Sequence, residues 1–256
     1  MRRKIKTLKS IPRQRVDHYE MVTARALKPI YERIISKTAV ALRKVEESIN
    51  LNKLPNIDAI VNENMNDIYA NIVAGKMLTG QAILKYLERQ LKQTVDAKFF
   101  NSEVVPAIEG HTFKIVTTQI TPTIADRLKE KIFVGMKRGD SIKKIADSLT
   151  MLETNYKTVA RTEIHNFANK ASFDLAVNET QLLGATQEGR KYWIPSGKET
   201  GRETHIQAGR NYPRGAGIPI GQPFIVGGAA LMYPGDYAGP PEETINCGCD
   251  YAIEFI

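Results

Sequence analysis

The chain has 256 residues, 42% of them hydrophobic, so it is long enough to bury one large core or two smaller ones. No apolar run reaches the length of about eighteen residues that a membrane-spanning helix needs, and the basic N-terminus is not followed by the apolar core of a secretory signal. Cys247 and Cys249 are the only cysteines, which excludes a disulfide-rich scaffold and favours synthesis in a reducing compartment.

The excess positive charge lies at the N-terminus. The net charge is +8, and residues 1–15 carry seven basic and no acidic side chains, namely Arg2, Arg3, Lys4, Lys6, Lys9, Arg13 and Arg15. This pattern predicts an arm that contacts DNA or an acidic face of a neighbouring protein, the alternative being a solvated tail. We expect the chain to fold without the arm. If DNA is the partner, seven charges predict a log–log salt slope near about −6 for duplex binding.

Apolar residues recur at helical spacing through the first part of the chain. Asp17–Asn50 is predicted to be a helix that Pro29 kinks or splits. A second helix is expected after Pro55 and is expected to end near Gly75, and a third begins with Thr79 as its cap. Core packing accounts for the apolar faces of these helices.

Residues 101–120 are richer in β-forming types, and they predict a short strand pair or an irregular link. Thr121-Pro122 then predicts the start of a helix that ends at Gly139. A shorter helix capped by Asp140 or Ser141 follows, and a longer helix opens at Asn155.

The pattern changes after the Asn155 helix. Arg190–Pro195, Gln222–Val226 and Cys249–Phe255 are predicted strands separated by Gly- and Pro-rich loops. The sequence therefore predicts an α+β fold, with a helical N-terminal part followed by a small mixed α/β C-terminal domain with short strands. The predicted organisation is an arm over 1–15, a helical region over 16–119 and a C-terminal domain over 120–256. In that domain helices reach to about residue 180 and the α+β core occupies 190–256.

The two cysteines carry the first candidate chemistry. On an extended segment Cys247 and Cys249 project to the same side, which suits one shared ion better than a mutual disulfide. His205 completes a Cys/Cys/His set, with His165 or Asp236 as a fourth ligand. Two cysteines fall short of the usual zinc signature, so we expect no cofactor, less than one equivalent of zinc and thiols that pack as small apolar groups. Zinc held by His205, Cys247 and Cys249 is the alternative.

Other site classes are less well supported. A nucleophilic Cys247 or Cys249 activated by His205 is conceivable, although nothing in the sequence positions an oxyanion hole. Gly227-Gly228 lacks the lysine and the strand-to-helix context of a phosphate-binding loop, so no nucleotide site is predicted. Tyr233-Pro234-Gly235-Asp236 predicts a turn with proline second and glycine third.

The order of several short motifs over residues 120–256 resembles the phage Mu F-like minor head protein family. The helix pair that opens this region matches Gly139-Asp140-Ser141-Ile142-Lys143-Lys144-Ile145-Ala146. The remaining matches, in chain order, are Ala160-Arg161-Thr162-Glu163, Trp193, Arg202 with His205 and Gly209, Phe224, Tyr233-Pro234-Gly235-Asp236 and Asn246-Cys247-Gly248-Cys249. Two positions depart from the family pattern: Lys198-Glu199 stands where the family has an acidic residue, and Gly248 stands where it has arginine.

The resemblance implies a Mu F-like head morphogenesis domain over 120–256 and a virion component present in few copies. Such a protein is located in the virion head, and in the host cytoplasm before assembly, where it binds the portal, the major capsid protein or the packaged DNA. The family fold has been compared with ADP-ribosyltransferases, but this chain lacks a Ser-Thr-Ser strand, and Glu242-Glu243 is not a Glu-x-Glu loop. We therefore expect an assembly protein rather than an enzyme, with no membrane association. An ADP-ribosyltransferase-like or metal-assisted enzyme and a DNA-binding module are the alternatives.

Four charged or polar residues in this region are predicted to form one polar cluster. Arg161 and Glu163 are two apart on a helix and so reach different partners, and Glu163 is placed to orient Arg202 or His205. Such a cluster would fasten the Asn155 helix to the C-terminal domain, the alternative being solvent-facing charges. A cleft beside Arg202 and His205 would favour an enzyme, whereas a filled, hydrogen-bonded core would favour an assembly protein.

Overall fold

The computed structural model describes residues 7–9, 13–47, 54–91, 99–149, 154–182, 189–197 and 201–255. The α-helices in these ranges are α1 Arg13–Glu47, α2 Ile57–Asn62, α3 Met65–Leu91, α4 Val105–Ile115, α5 Thr121–Lys137, α6 Ile142–Ser148, α7 Thr154–Leu182, α8 Glu203–Asn211 and α9 Pro241–Thr244. The strands are β1 Thr7–Lys9, β2 Gly189–Ile194, β3 Ile218–Pro219, β4 Phe224–Val226, β5 Ala229–Leu231 and β6 Asp250–Phe255. The predicted α+β class, helical first and mixed last, is confirmed. None of the described helices is long and apolar enough to cross a membrane.

The chain divides into two compact units that differ from the predicted segments. Unit 1 comprises Met1–Glu20, Gly75–Pro106 and Arg161–Ile256, and unit 2 comprises Met21–Ala74 and Ala107–Ala160. The boundaries predicted after residues 15 and 119 do not coincide with this division. Its physical origin is that α1, α3 and α7 each contribute one end to each unit, which a local sequence pattern does not reveal.

Unit 2 is a helical unit with its own apolar core. Its buried side chains come from α1 to α6, from residues 116–120 and from the start of α7, and they include Leu27, Ile34, Leu42, Val61, Ile68, Leu128 and Ile145. The spacing of these residues is the helical period that the sequence predicted, and their burial is the main source of stability for such helices.

The predicted split at Pro29 and the predicted helix end near Gly75 are wrong. Helix α1 runs unbroken through Pro29, and α3 runs through Gly75 and Thr79. Thr79 is not a cap, because its Oγ1 donates to the carbonyl of Gly75 at 2.8 Å within the helix. The Phe100 ring packs against the next residue, Gly80. A Cβ at this position would lie 2.3 Å from that ring, so the glycine makes room for it. Packing along the whole helix outweighs the local breaking tendency of single residues.

The strand pair or link predicted over 101–120 is also wrong. Helix α4 occupies this stretch, between two π-helical turns at Phe100–Val104 and Val116–Ile120. Val116 and Ile120 are buried in the core of unit 2, and this tertiary burial overrides the β-preference of the residue types. Thr121 does not cap a new helix, because its Oγ1 donates to the Val116 carbonyl at 2.9 Å in a continuous helical segment.

Several local predictions are confirmed. Gly139, with φ +73°, follows the end of α5, and the Ser141 side chain accepts from the Lys144 N–H at 3.3 Å to cap α6. The long helix predicted from Asn155 is α7, and the three predicted strands correspond to β2, β4 and β6.

Unit 1 contains an antiparallel sheet with strand order β1-β6-β2-β3. Tyr192 of β2 pairs with Ala252 of β6, and Leu8 of β1 pairs with Ile253 of β6. Because β1 lies inside the predicted arm, Thr7–Lys9 is part of the fold and not a free tail. The expectation that residues 1–15 are dispensable for folding is therefore corrected, since their removal deletes an edge strand.

A second, two-stranded ribbon joins β4 and β5. Gly227 and Gly228 connect them with φ of +58° and +85°, which is the type I′ turn that two-residue hairpins favour. Behind the hairpin lies a separate apolar core whose buried members are Trp193, Ala208, Phe224, Val226, Leu231, Cys247 and Cys249. This core supports the candidate site.

Candidate functional site

His205 is the centre of the site. Helix α8 begins after Arg202, whose extended backbone forms the N-cap, and places His205 one turn in, where it is buried. Its ring packs edge-on against Trp193 with 5.6 Å between ring centroids. His205 Nδ1 lies 3.3 Å from Cys249 Sγ and 3.7 Å from Cys247 Sγ.

Cys247 and Cys249 flank Gly248 immediately before β6, and both are buried. Asn246, with φ +56°, turns the chain into this segment, and its N–H donates to Thr162 Oγ1 at 2.9 Å. The ligand-type atoms of His205 and of both cysteines lie within 4.8 Å of one another. The structure thus brings together the three residues that the sequence singled out as a candidate metal set.

The backbone of Cys249 is fixed from α7. Asn169 Nδ2 donates to the Cys249 carbonyl at 2.9 Å, and His165 Nε2 lies 3.0 Å from the same oxygen. His165 is therefore bonded to the Cys249 backbone. Asp236 accepts the N–H groups of Met232 and Ala238 at 2.8 and 3.0 Å. Neither of the two proposed fourth ligands joins the His205 group.

Glu243 is the functional residue that the sequence reasoning missed. It lies on the short helix α9, is buried, and its Oε2 is 2.8 Å from His205 Nε2. Thr204 Oγ1 donates to the same oxygen at 2.9 Å. A Cβ at Gly227 would lie 2.1 Å from Glu243 Oε1, so the glycine turn of the β4–β5 hairpin makes room for the carboxylate. Glu243 follows His205 by 38 residues, and no sequence pattern indicates that a carboxylate at this separation will contact the histidine.

The two thiols and the imidazole shift one another's pKa values. The hydrogen bond from Cys247, together with those from His205 and the Ser196 backbone, lowers the pKa of Cys249 to about 5 against the opposing effect of burial. Because Cys247 donates to Cys249, and because it is buried, its own pKa is raised well above the ordinary value. Burial disfavours the imidazolium, yet the pKa of His205 is raised, because the contacts to Cys249 and Glu243 outweigh it.

A cleft of about 510 Å³ opens onto this group. Its lining is Arg161, Pro195, Ser196, Gly197, Gly201, Arg202, His205, Ile206, Asn246, Cys247, Gly248 and Cys249. Arg202 Nη2 donates to the Ile245 carbonyl, and Arg161 Nη1 donates to Asn246 Oδ1 at 3.2 Å. Two guanidinium groups therefore line the cleft beside the buried His/Cys/Cys group. Arg161 is also 3.4 Å from Glu20 Oε2, so Arg202 is the cation that suits the cleft to an anionic occupant.

The predicted polar cluster forms only in part. Arg161, Arg202 and His205 line the same cleft. Glu163 is not part of its lining and does not orient Arg202 or His205. Instead, its Oε2 accepts from Lys76 Nζ of α3 at 2.8 Å, and both side chains are almost fully buried. The sequence missed Lys76 because it lies 87 residues away on a helix whose other residues read as ordinary core packing.

The described part of the basic segment is built into unit 1. Arg13 Nη1 donates to the carbonyls of Ser196 and Gly248 at 3.0 and 2.8 Å, and the Arg15 guanidinium lies 5.9 Å from the centre of the Tyr86 ring. Lys9 belongs to β1. The other four predicted contact residues, Arg2, Arg3, Lys4 and Lys6, lie outside the described residues.

Comparisons with known proteins add no relative. No family model matches the chain, and neither the curated proteins nor the solved structures contain a significant match to it.

Proposed function

We propose that the chain is a minor head protein of a tailed bacteriophage, with a non-enzymatic role in head assembly. In this role it is carried in the virion head after synthesis in the host cytoplasm, and it docks on the portal or the major capsid protein. One observation carries the proposal. Residues 139–146 belong to unit 2, but the motifs from Arg161 to Cys249 that resemble the Mu F-like family contact one another in unit 1.

The contacts between these motifs join distant segments. Arg161 and Thr162 on α7 both bond to Asn246, which precedes the cysteines. Trp193 of β2 packs edge-on against Phe224, with 5.3 Å between centroids, as well as against His205. A chance run of short motifs has no reason to fold into one mutually contacting set, so this arrangement supports the resemblance.

The predicted turn is part of the same framework. Asp236 N–H donates to the Tyr233 carbonyl at 3.2 Å, and Gly235 has φ +74°, as a type II turn requires. Asn169 Nδ2 donates to the Pro234 carbonyl at 3.0 Å, which fixes the turn to α7. Rigid loops of this kind suit a docking protein whose surface must keep its shape.

An assembly role also fits the way the acidic groups are used. Glu163 is neutralised by Lys76, and Glu243 is bonded to His205 and Thr204. Both carboxylates are buried and engaged within the protein, so neither is presented to a substrate in the cleft.

Quantitative mass spectrometry of gradient-purified particles from a phage that encodes the chain tests the proposal. We expect the chain in intact particles at far fewer copies than the major capsid protein, and a stop codon early in its gene should lower the yield of infectious particles. If particles without the chain form normally and remain fully infectious, the assembly role is wrong.

A thiol-dependent or metal-assisted enzyme is the second candidate, and the open cleft beside His205 and Cys249 specifically favours it. Phage carrying Cys249→Ser separates the two roles. An enzyme predicts that the variant is incorporated at the normal copy number while infectivity falls. An assembly role alone predicts that any loss of infectivity accompanies loss of incorporation.

A DNA contact through the N-terminal segment is retained as a narrower proposal. Arg13 is hydrogen-bonded within unit 1, so at most six of the seven basic residues remain for phosphates. The expected log–log salt slope for duplex DNA then becomes no steeper than about −5.4. Salt-insensitive binding would instead indicate an acidic protein partner.

A further inference from the structure

The donor atoms at the floor of the cleft have the separations of a tetrahedral metal site. With bonds of about 2.0 Å to nitrogen and 2.3 Å to sulfur, a tetrahedral angle at zinc places the two ligand atoms about 3.5 Å apart. The distances from His205 Nδ1 to the two sulfurs, 3.3 and 3.7 Å, lie on either side of this value. The three atoms also converge within 4.8 Å, so little movement would complete the coordination.

The surroundings of His205 match the outer shell of a histidine ligand. Metal-bound imidazoles usually donate their second N–H to a carboxylate, which fixes the tautomer and the ring orientation. Glu243 Oε2 stands 2.8 Å from Nε2 and is itself held by Thr204 Oγ1. With Nε2–H donating to Glu243, the lone pair of Nδ1 faces the two sulfurs, where a metal ion would accept it.

We propose that His205, Cys247 and Cys249 bind one zinc ion, with Glu243 as the outer carboxylate and with the fourth coordination position open to the cleft. Two thiolates and an imidazole are a ligand set that zinc prefers. This proposal adopts the alternative that the sequence placed second, and it does not depend on the assembly role.

The fourth position follows from what lies around the group. His165 and Asp236 are bonded elsewhere, and in the described part of the chain no fourth His, Cys, Asp or Glu joins the three ligand atoms. All three ligands line the cleft, together with Arg161 and Arg202. A three-ligand site of this kind retains a position for water or an exogenous ligand, and the Arg202 guanidinium favours a small anion there.

Elemental analysis of purified protein, and of protein stripped with a chelator and refilled with zinc, tests the ligand set. We expect one zinc per chain in the wild type and its loss in both Cys247→Ser and Cys249→Ser. His18→Gln, a histidine on α1 outside the cleft, is the matched control and should retain the metal. Fluorescence of Trp193 reports whether each variant is folded, because this single tryptophan is buried next to His205.

Glu243→Gln gives a readout that does not require losing a ligand. We expect it to fold and to bind zinc about 10–100-fold more weakly in competition with a chromophoric chelator. A folded wild type that retains no zinc after refilling and gel filtration would overturn the proposal. So would a zinc content that neither cysteine substitution changes.

Cobalt substitution tests the open position. Co²⁺ in this site should show the intense visible bands of tetrahedral coordination and thiolate-to-metal charge transfer, and added azide should shift the visible bands. Arg202→Gln should weaken the azide effect without removing the metal. Bands that azide leaves unchanged would show that the position is closed.

Discussion

Replacing Glu163 by alanine removes the carboxylate that faces the buried ammonium of Lys76, whose Nζ also lies 5.5 Å from the centre of the Tyr237 ring. The two groups lie 2.8 Å apart, and their side chains are only 1% and 9% exposed. Removing one member of a buried pair typically costs about 3–5 kcal/mol, because the remaining charge stays desolvated. This exceeds the about 1–3 kcal/mol expected for orphaning an ordinary buried hydrogen-bonding group.

Urea unfolding followed by Trp193 fluorescence measures this cost in the unit that contains the pair. Arg210→Ala is the matched control in unit 1, because the Arg210–Glu203 pair is 3.4 Å apart and its side chains are 65% and 76% exposed. Exposed pairs of this kind contribute about 0.2–1 kcal/mol.

The double substitution Lys76→Met with Glu163→Leu separates charge burial from packing. It should restore most of the lost free energy of unfolding, because two apolar side chains replace two desolvated charges. The reasoning would be refuted if Glu163→Ala shifted the urea midpoint no more than Arg210→Ala does. It would also be refuted if the double variant were less stable than Glu163→Ala.

Three further predictions concern the backbone, the pH dependence and the N-terminal segment. Gly235→Ala should cost at least about 1 kcal/mol more than Gly215→Ala in urea unfolding. Both glycines have positive φ, but only at Gly235 would a Cβ collide, lying 2.1 Å from Asn166 Oδ1. Burial lowers the pKa of Lys191 to about 7, so the unfolded state binds more protons between about pH 7 and 10, and the free energy of unfolding should rise across that window. Lys191→Met should make the rise smaller, and the lowered pKa of Cys249 accounts for part of the rise that remains below about pH 9. An unchanged pH dependence in this variant would contradict the assignment. Replacing the four basic residues within 1–6 by glutamine should leave Trp193 fluorescence unchanged and make the DNA salt slope shallower by about 3.6, and an unaltered slope would exclude this segment as the DNA contact.

Elements with local sequence signals were predictable from the sequence alone. Helical periodicity predicted α1, α6 and α7, and the cap at Ser141 and the turn at Tyr233–Asp236 followed from residue types with fixed backbone preferences. The α+β class followed from the change of pattern after α7. The candidate set of His205, Cys247 and Cys249 was also accessible, because these residue types are rare in the chain and their chemistry is specific.

Contacts between residues that are far apart in the sequence could not be predicted and depend on how the chain folds. Glu163 pairs with Lys76 and Glu243 with His205, over 87 and 38 residues, and no periodicity encodes such contacts. Packing likewise made residues 105–115 helical against their β-preference, because burial of a helical face contributes more than intrinsic propensity. Strand β1 formed within a charged segment because β6 offered an edge to pair with, a partner that becomes available only when the chain has folded.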